Sequence, residues 1–188
     1  MIPPKTLLDA YSQGIFPMAD EDGAIGWYEA NPRAIIEIDS YRIPHDLKRI
    51  LNRNHFVVHH DLNFEQVMRN CMNRNPTWIS EEMVRSYVEL QRLGYAHSVE
   101  TWQEGELVGG LYGVHLGAAF FGESMFHRVP HASKVALAHL MRHLQTREFM
   151  LHDAQMMTST LQLFGAKNIP RGEYLQRLQK ALKMKAAF

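Results

Sequence analysis

Residues 96–126 read AHSVETWQEGELVGGLYGVHLGAAFFGESMF, and the fold turns on this stretch. It fits three consecutive antiparallel strands. His97 to Gln103 alternates loosely, and Glu104-Gly105 is a tight-turn pair between two runs. Leu107 to Leu116 is apolar and carries Gly109, Gly110 and Gly113. His115-Leu116-Gly117 turns the chain again, and Ala118 to Phe126 returns. A glycine inside a strand weakens it, so these three predict a bulge or a close approach to the backbone. The last strand sets Glu123 between Phe120-Phe121 and Met125-Phe126. A carboxylate in such a run either faces water at a strand end or belongs to a site, because buried carboxylates are rare unless paired or functional.

On the N-terminal side, Gly94 stops a helix that Ser80 caps, with Glu81 and Glu82 in its favourable first turn. Asn63 opens a helix through Met72, followed by a polar loop from Asn73 to Pro76 that carries Arg74. His55 to His60 reads as a strand, and Ile43-Pro44 starts a helix to about Asn52. Ala34 to Ile38 reads as a strand. Gly26-Trp27-Tyr28 and Asn31-Pro32-Arg33 flank a turn, Ile15 to Met18 is an apolar insertion, and Lys5 to Gln13 is a helix stopped by Gly14. Trp27-Tyr28 is either a small core or a stacking platform for a base. The cations between residues 42 and 92 either line one face or form a solvated mix with the interspersed acids.

On the C-terminal side, His127 to His131 is a loop and Ala132 to about Thr146 an amphipathic helix. Phe149 to Gln155 is a strand with Asp153 and Gln155 near its C-terminal end. Thr158 or Ser159 caps a short helix ending at Gly165, and the last helix runs from Gly172 to about Lys183. The tail from Lys185 to Phe188 is expected to fray.

Composition bounds the function classes. A chain of 188 residues suits one domain, or one domain plus a small subdomain. The single cysteine, Cys71, allows no intrachain disulfide, so a reducing, cytoplasmic setting is expected. The start lacks the basic and apolar regions of a secretory signal. No run approaches the ~20 apolar residues of a membrane span. Formal net charge is +0, so a nucleic-acid contact has to rest on a local patch. The 11 histidines are scattered, without HExxH or zinc spacing, and no metal is expected.

A meander followed by helix, strand and helix matches the core order of the N-acyltransferase superfamily. The expected fold is α+β (α/β-type): a GNAT-like mixed, mostly antiparallel sheet flanked by helices. Residues 1–54 are expected to form a small N-terminal subdomain and residues 55–188 the acyltransferase domain. Acetyl-CoA members of that superfamily cradle pyrophosphate on a glycine-rich turn at the start of the central helix. Here the stretch is His127-Arg128-Val129-Pro130-His131-Ala132-Ser133-Lys134, without a glycine, which disfavours CoA and suggests another acyl donor.

A set of short pieces runs in order from near residue 7 to near residue 175. They include Gly14-Ile15-Phe16-Pro17, Asn31-Pro32-Arg33-Ala34, Thr77-Trp78-Ile79 and Gly94-Tyr95-Ala96-His97-Ser98-Val99-Glu100. Phe121-Gly122-Glu123-Ser124-Met125-Phe126, Ala132-Ser133-Lys134, Asp153-Ala154-Gln155 and Ile169-Pro170-Arg171 continue the series. The chain resembles the bacterial leucyl/phenylalanyl-tRNA–protein transferases. The resemblance implies transfer of leucine or phenylalanine, and less well methionine, from Leu-tRNA or Phe-tRNA to proteins that begin with Arg or Lys. The new N-terminus would mark those proteins for degradation. It also implies no cofactor and a monomer.

By that resemblance, Asp153 would steer or deprotonate the acceptor amine. Gln155 would orient it or polarise the carbonyl, and Glu123 would serve the acceptor's cation or hold the geometry. The pocket for the transferred side chain would map onto Leu111, Phe120, Met125, Leu140 and Leu144. Trp27 and Trp78 would meet the terminal adenosine or frame the pocket, and Lys48 and Arg49 would contact the acceptor stem. The chain departs from the pattern in a late start and in Tyr28 where a tryptophan is common. It also has Phe121 where a smaller residue can occur, which bears on the leucine preference, and Thr158 and Thr160 where the family often has asparagine and histidine, which leaves open a shifted mechanism or an altered acceptor preference. The rival readings are a CoA-dependent N-acetyltransferase, a non-catalytic binder of aminoacyl-tRNA or basic N-termini, and a purely structural protein.

Overall fold

The computed structural model describes residues 1–53, 55–73 and 76–188. Asn54, at the expected unit boundary, and Arg74, in the expected polar loop, lie outside the described residues. The meander forms as the glycines and turns predict. β5 (Ala96–Gln103), β6 (Glu106–Leu116) and β7 (Ala119–His127) pair in antiparallel register. Glu104 and Gly105 both take positive φ (52° and 83°), the left-handed pair that a two-residue hairpin needs. The second turn falls on Gly117 and Ala118, with Leu116 opposite Ala119, slightly later than expected, because Gly117 supplies the positive φ of 58°. The strand glycines answer both readings. Gly113 sits at an irregularity opposite Gly122, and a Cβ on Gly109 would overlap Ala132, so that glycine lets a helix settle on the sheet.

That helix is α5 (Ala132–Thr146), and β8 (Leu151–Gln155) follows it and lies parallel to β7. Strand, helix and parallel strand make the crossover unit expected of the acyltransferase order. Among the described residues the main sheet has seven strands, in the order β4-β5-β6-β7-β8-β3-β9, with β4 at Val57–His60, β3 at Arg33–Ile36 and β9 at Lys167–Ile169. β3, from the first quarter of the chain, is thus inserted between two strands from the last quarter. Among the described residues β1 (Phe16–Ala19) and β2 (Ile25–Tyr28) pair only with each other. The stretches read as an apolar insertion and a turn flank are therefore a ribbon.

Helices cover both faces of the sheet. α1 (Pro4–Ser12), α3 (Phe64–Met72), α4 (Glu81–Arg92) and α7 (Arg171–Leu182) bury Leu7, Val67, Tyr87 and Leu178 in one core. α5 forms the second core with α2 (His45–Asn52) and α6 (Ser159–Leu163), through Leu47, Leu140 and Leu161 among others. Two of the expected N-caps form: Ser80 accepts the Met83 N–H at 3.3 Å, and Thr158 rather than Ser159 accepts the Leu161 N–H at 3.3 Å, whereas Asn63 stands at the start of α3 without a side-chain capping bond. The tail does not fray. The Phe188 ring stacks on His97 with centroids 4.2 Å apart and lies 4.5 Å from His143, because three histidines and Phe120 leave an aromatic-lined hollow there.

Candidate active site

β7 and β8 pair only as far as Phe121 and Asp153. Beyond that register β7 runs on to His127 and β8 to Gln155. A cavity of about 290 Å³ opens along this part of the two strands. Its apolar side is built by Leu111, Met125, Leu137, Leu140 and Leu161. Its polar end carries Glu123, Ser124, Gln155, Thr158 and Thr160, with Trp78 beside them. Most of its lining is apolar, the usual character of a small-molecule site with a few placed polar groups.

The polar end rests on a buried ion pair. Arg33 is 1% exposed and Asp153 0%. Arg33 Nε donates to Asp153 Oδ1 at 2.9 Å and Nη2 to Oδ2 at 2.7 Å, while Nη1 donates to the Gly14 carbonyl at 3.0 Å. The guanidinium also lies over the rings of Phe16 (4.9 Å) and Tyr174 (4.6 Å). The Tyr174 hydroxyl donates to Asp153 Oδ2 at 2.6 Å, and the Gln155 backbone N–H donates to Oδ1 at 2.9 Å. Both carboxylate oxygens are thus occupied, and Asp153 is not part of the cavity lining. Alternate residues of a strand face opposite ways, so Asp153 faces Arg33 while His152 and Ala154 face the cavity.

Asp153 reaches the cavity through Gln155. That residue is held at φ 60°, a left-handed conformation uncommon outside glycine, and the Asp153 bond to its N–H stabilises the bend. The bend brings the Gln155 amide to Glu123, where Nε2 donates to Oε1 at 2.7 Å. The Tyr87 hydroxyl donates to Glu123 Oε2 at 3.4 Å and is itself hydrogen-bonded to the Tyr11 hydroxyl. Burial pushes the Glu123 carboxyl up to about 7, with the negative charge of Asp153 adding to the rise and the Tyr11 hydroxyl opposing it. A carboxylate in that range can exchange protons near neutral pH.

The sequence-predicted residues fall into groups. Glu123 and Gln155 meet in the cavity, and Trp78, Leu111, Met125, Leu140 and Thr158 line it. Phe120 and Leu144 are 0% exposed and sit in the core behind it, as their neighbours in the apolar cluster require. Phe121 is buried in the other core. Trp27 and Tyr28 are 43% and 42% exposed on β2, outside the lining. The ribbon they belong to is tied to the cavity's rim, since the Ala19 N–H donates to the Trp78 carbonyl at 2.9 Å. Lys48 and Arg49 are exposed on α2. Sequence reasoning missed Tyr11, Tyr87, Tyr174, His152, Leu137 and Leu161. The period of two along β8 was the available signal for His152. Arg33 was visible in Asn31-Pro32-Arg33-Ala34, but nothing local to it names its partner.

Fold and site together have the features an acyltransferase needs: a parallel crossover whose strands part beside a mostly apolar pocket, with Glu123 and Gln155 in its lining. Residues 35–179 match the family model described as leucyl/phenylalanyl-tRNA protein transferase, and residues 1–31 match that of the same enzyme's N-terminal domain. The chain belongs to the leucyl/phenylalanyl-tRNA–protein transferase family. It is 50% identical to the leucyl/phenylalanyl-tRNA–protein transferase of Gloeobacter violaceus, over 98% of this chain and 96% of that one. The Chlorobium limicola protein of the same name is 49% identical over 100% of both chains. Among solved structures, L-PGS from Bacillus licheniformis has a TM-score of 0.47 at 14% identity, covering 80% of this chain and 49% of that one.

Proposed function

We propose that this chain transfers leucine or phenylalanine, and less well methionine, from aminoacyl-tRNA to the α-amino group of proteins that begin with Arg or Lys. The observation that carries the reading is the joining of a mostly apolar pocket to the hydrogen-bonded Glu123–Gln155 pair in its lining. The donor side chain enters between Leu140, Leu161 and Met125. It needs no hydrogen bond there, and a charged side chain would lose its solvation. The ester carbonyl then lies at the polar end, beside Trp78, which faces the terminal adenosine.

An aminoacyl ester is already activated, so positioning and proton transfer suffice. The amine nitrogen attacks the carbonyl, the amide bond forms, the ester C–O bond breaks, and a proton reaches the ribose oxygen. The Gln155 amide gives its N–H to Glu123, which leaves its carbonyl oxygen to accept from the incoming amine. Glu123 takes the proton and hands it on. Asp153 acts through Gln155 and Arg33 as a positioning residue, because its own oxygens are occupied. The acceptor stem lies along Lys48 and Arg49, whose phosphate contacts orient without reading sequence. The chain acts as a monomer in the cytoplasm. Among the described residues no helix is long and apolar enough to cross a membrane.

The test offers radiolabelled Leu-tRNA and Phe-tRNA to peptides starting with Arg, Lys, Asp or Met, with acetyl-CoA as a separate donor. Label on the Arg and Lys peptides alone is the expected result. Label on Asp peptides would redefine the acceptor, and acetylation would restore the CoA reading.

A further inference from the structure

A row of rings crosses the sheet behind the cavity and ends at Phe188. His152 and Phe120 occupy paired positions of β8 and β7, and their rings stack with centroids 6.0 Å apart. His152 lines the cavity, while Phe120 is 0% exposed and lies behind it. Phe120 in turn faces Phe188, with centroids 5.5 Å apart and planes inclined by 22°. Phe188 lies flatter still on His97, at 18°, and packs against the apolar cluster that holds Leu140 and Leu144. Burial pushes the imidazole of His143 down to about 4 and lowers that of His60, so neither brings a charge to the Phe188 ring near neutral pH.

The sheet order sets His97 on β5 and His152 on β8, to opposite sides of Phe120 on β7. Between β5 and β7, Gly113 pairs with His97 and brings no side chain to the row. A Cβ there would come within 2.6 Å of the Phe120 ring, so that ring lies against bare backbone. The Phe188 ring takes up the room that a side chain at residue 113 would otherwise occupy. Protein interiors are close-packed, and a group removed from one leaves a void into which its neighbours partly relax. With Phe188 gone, Phe120 has room to move toward β5, and His152 loses the ring that backs it.

We infer that Phe188 is a positioning residue for donor choice: through Phe120 and His152 it sets the depth of the apolar pocket, and so the balance between leucyl and phenylalanyl donors. The inference rests on the proposed aminoacyl-tRNA reading. Phe188 touches neither donor nor acceptor, and it acts only by holding the wall behind the pocket. A deeper pocket leaves a gap against the shorter leucine side chain, whose atoms then lose their contacts on that side. The longer phenylalanine side chain reaches into the added space and keeps its contacts.

The experiment measures kcat/KM for Leu-tRNA and Phe-tRNA, with an Arg-starting peptide, in the wild type, Phe188→Ala and Phe188→Leu. Phe188→Ala is expected to lower the leucyl-to-phenylalanyl ratio about tenfold, the scale of a methylene's misfit in an apolar pocket, while Phe188→Leu, which refills most of the space, holds it within about threefold. A loss of fold alone would lower both donors together and leave the ratio where it was. NMR of the imidazole carbons gives a readout without turnover. In Phe188→Ala the His152 signal, assigned by its loss in His152→Gln, is expected to shift along with that of His97, because the Phe120 ring beside it has moved. No transfer of either donor by the wild type would refute the underlying reading. Transfer by the wild type with a ratio unmoved in Phe188→Ala, or a His97 signal that shifts while that of His152 stays, would overturn this inference alone.

Discussion

Replacing Asp153 with alanine separates two roles that its place at a strand end leaves open. The substitution removes the acceptor for four hydrogen bonds: two from Arg33, one from Tyr174 and one from the Gln155 N–H. It also leaves the Arg33 guanidinium, 1% exposed, without its ion-pair partner and with the Gly14 carbonyl and two aromatic faces around it. Breaking a buried pair by removing one partner costs about 3–5 kcal/mol. For a chain of this size each kcal/mol lowers Tm by roughly 2–4 °C, so a fall of about 6–20 °C is expected by calorimetry. Replacing both partners with apolar residues, Arg33→Met with Asp153→Leu, should recover most of that loss, since no buried charge is left unpaired. The double variant should still transfer poorly, because the Gln155 bend has lost its acceptor. The comparison is a double-mutant cycle, with Tm and single-turnover transfer as its two readouts. Transfer lost more than about a hundredfold in Asp153→Ala, with Tm within about 2 °C of wild type, would refute this reasoning and make Asp153 the base itself.

Other outcomes follow from the same geometry. Glu123 has a folded-state pKa raised by burial from 4.5 to about 7, so stability falls as pH climbs through that window. Glu123→Gln should flatten the fall by up to about 3 kcal/mol, read from urea unfolding at pH 5 and pH 8, and should abolish a rise in transfer rate near pH 7. Lys48→Glu with Arg49→Glu should weaken tRNA binding and reduce the slope of log affinity against log salt by roughly 1.4–1.8, measured by filter binding. An unchanged slope would put the acceptor stem elsewhere. Gly109→Val should destabilise the chain by about 1–3 kcal/mol or more, since the added carbons meet Ala132 and push α5 off the sheet, and thermal melting would register it.

Much of the fold was legible because its signals are local. Turn glycines, Ser80 and Thr158 as caps, and the long apolar strands of the meander all act within a few residues of themselves. β1, β2 and β9 were missed because their three or four residues hold glycine, proline or polar side chains, whereas the equally short β3 and β4 carry the β-branched pairs Ile35-Ile36 and Val57-Val58. The candidate site was half legible. Glu123 stood out as a charge in an apolar run, and Gln155 as a polar end to an apolar strand. The place of Asp153 was harder to foresee, because its partner Arg33 is 120 residues away in sequence. Phe120 and Leu144 have the right character for a pocket but lie one layer too deep, and sequence spacing says nothing about depth. Phe188 was expected to be loose on its position alone, and ring packing holds it instead.

The insertion of β3 between β8 and β9 has a kinetic consequence. The meander and α5 make contacts between neighbours in the chain and can assemble early, with little loop-closure entropy to overcome. β3 can reach its place only when β8 and β9, more than a hundred residues downstream, are ready to receive it. The Arg33–Asp153 pair closes with that insertion, and with it the bend that aims Gln155. The order of events therefore favours a chain that acquires its apolar hollow first and its reactive geometry last. Ordered assembly of that kind leaves half-folded molecules chemically idle.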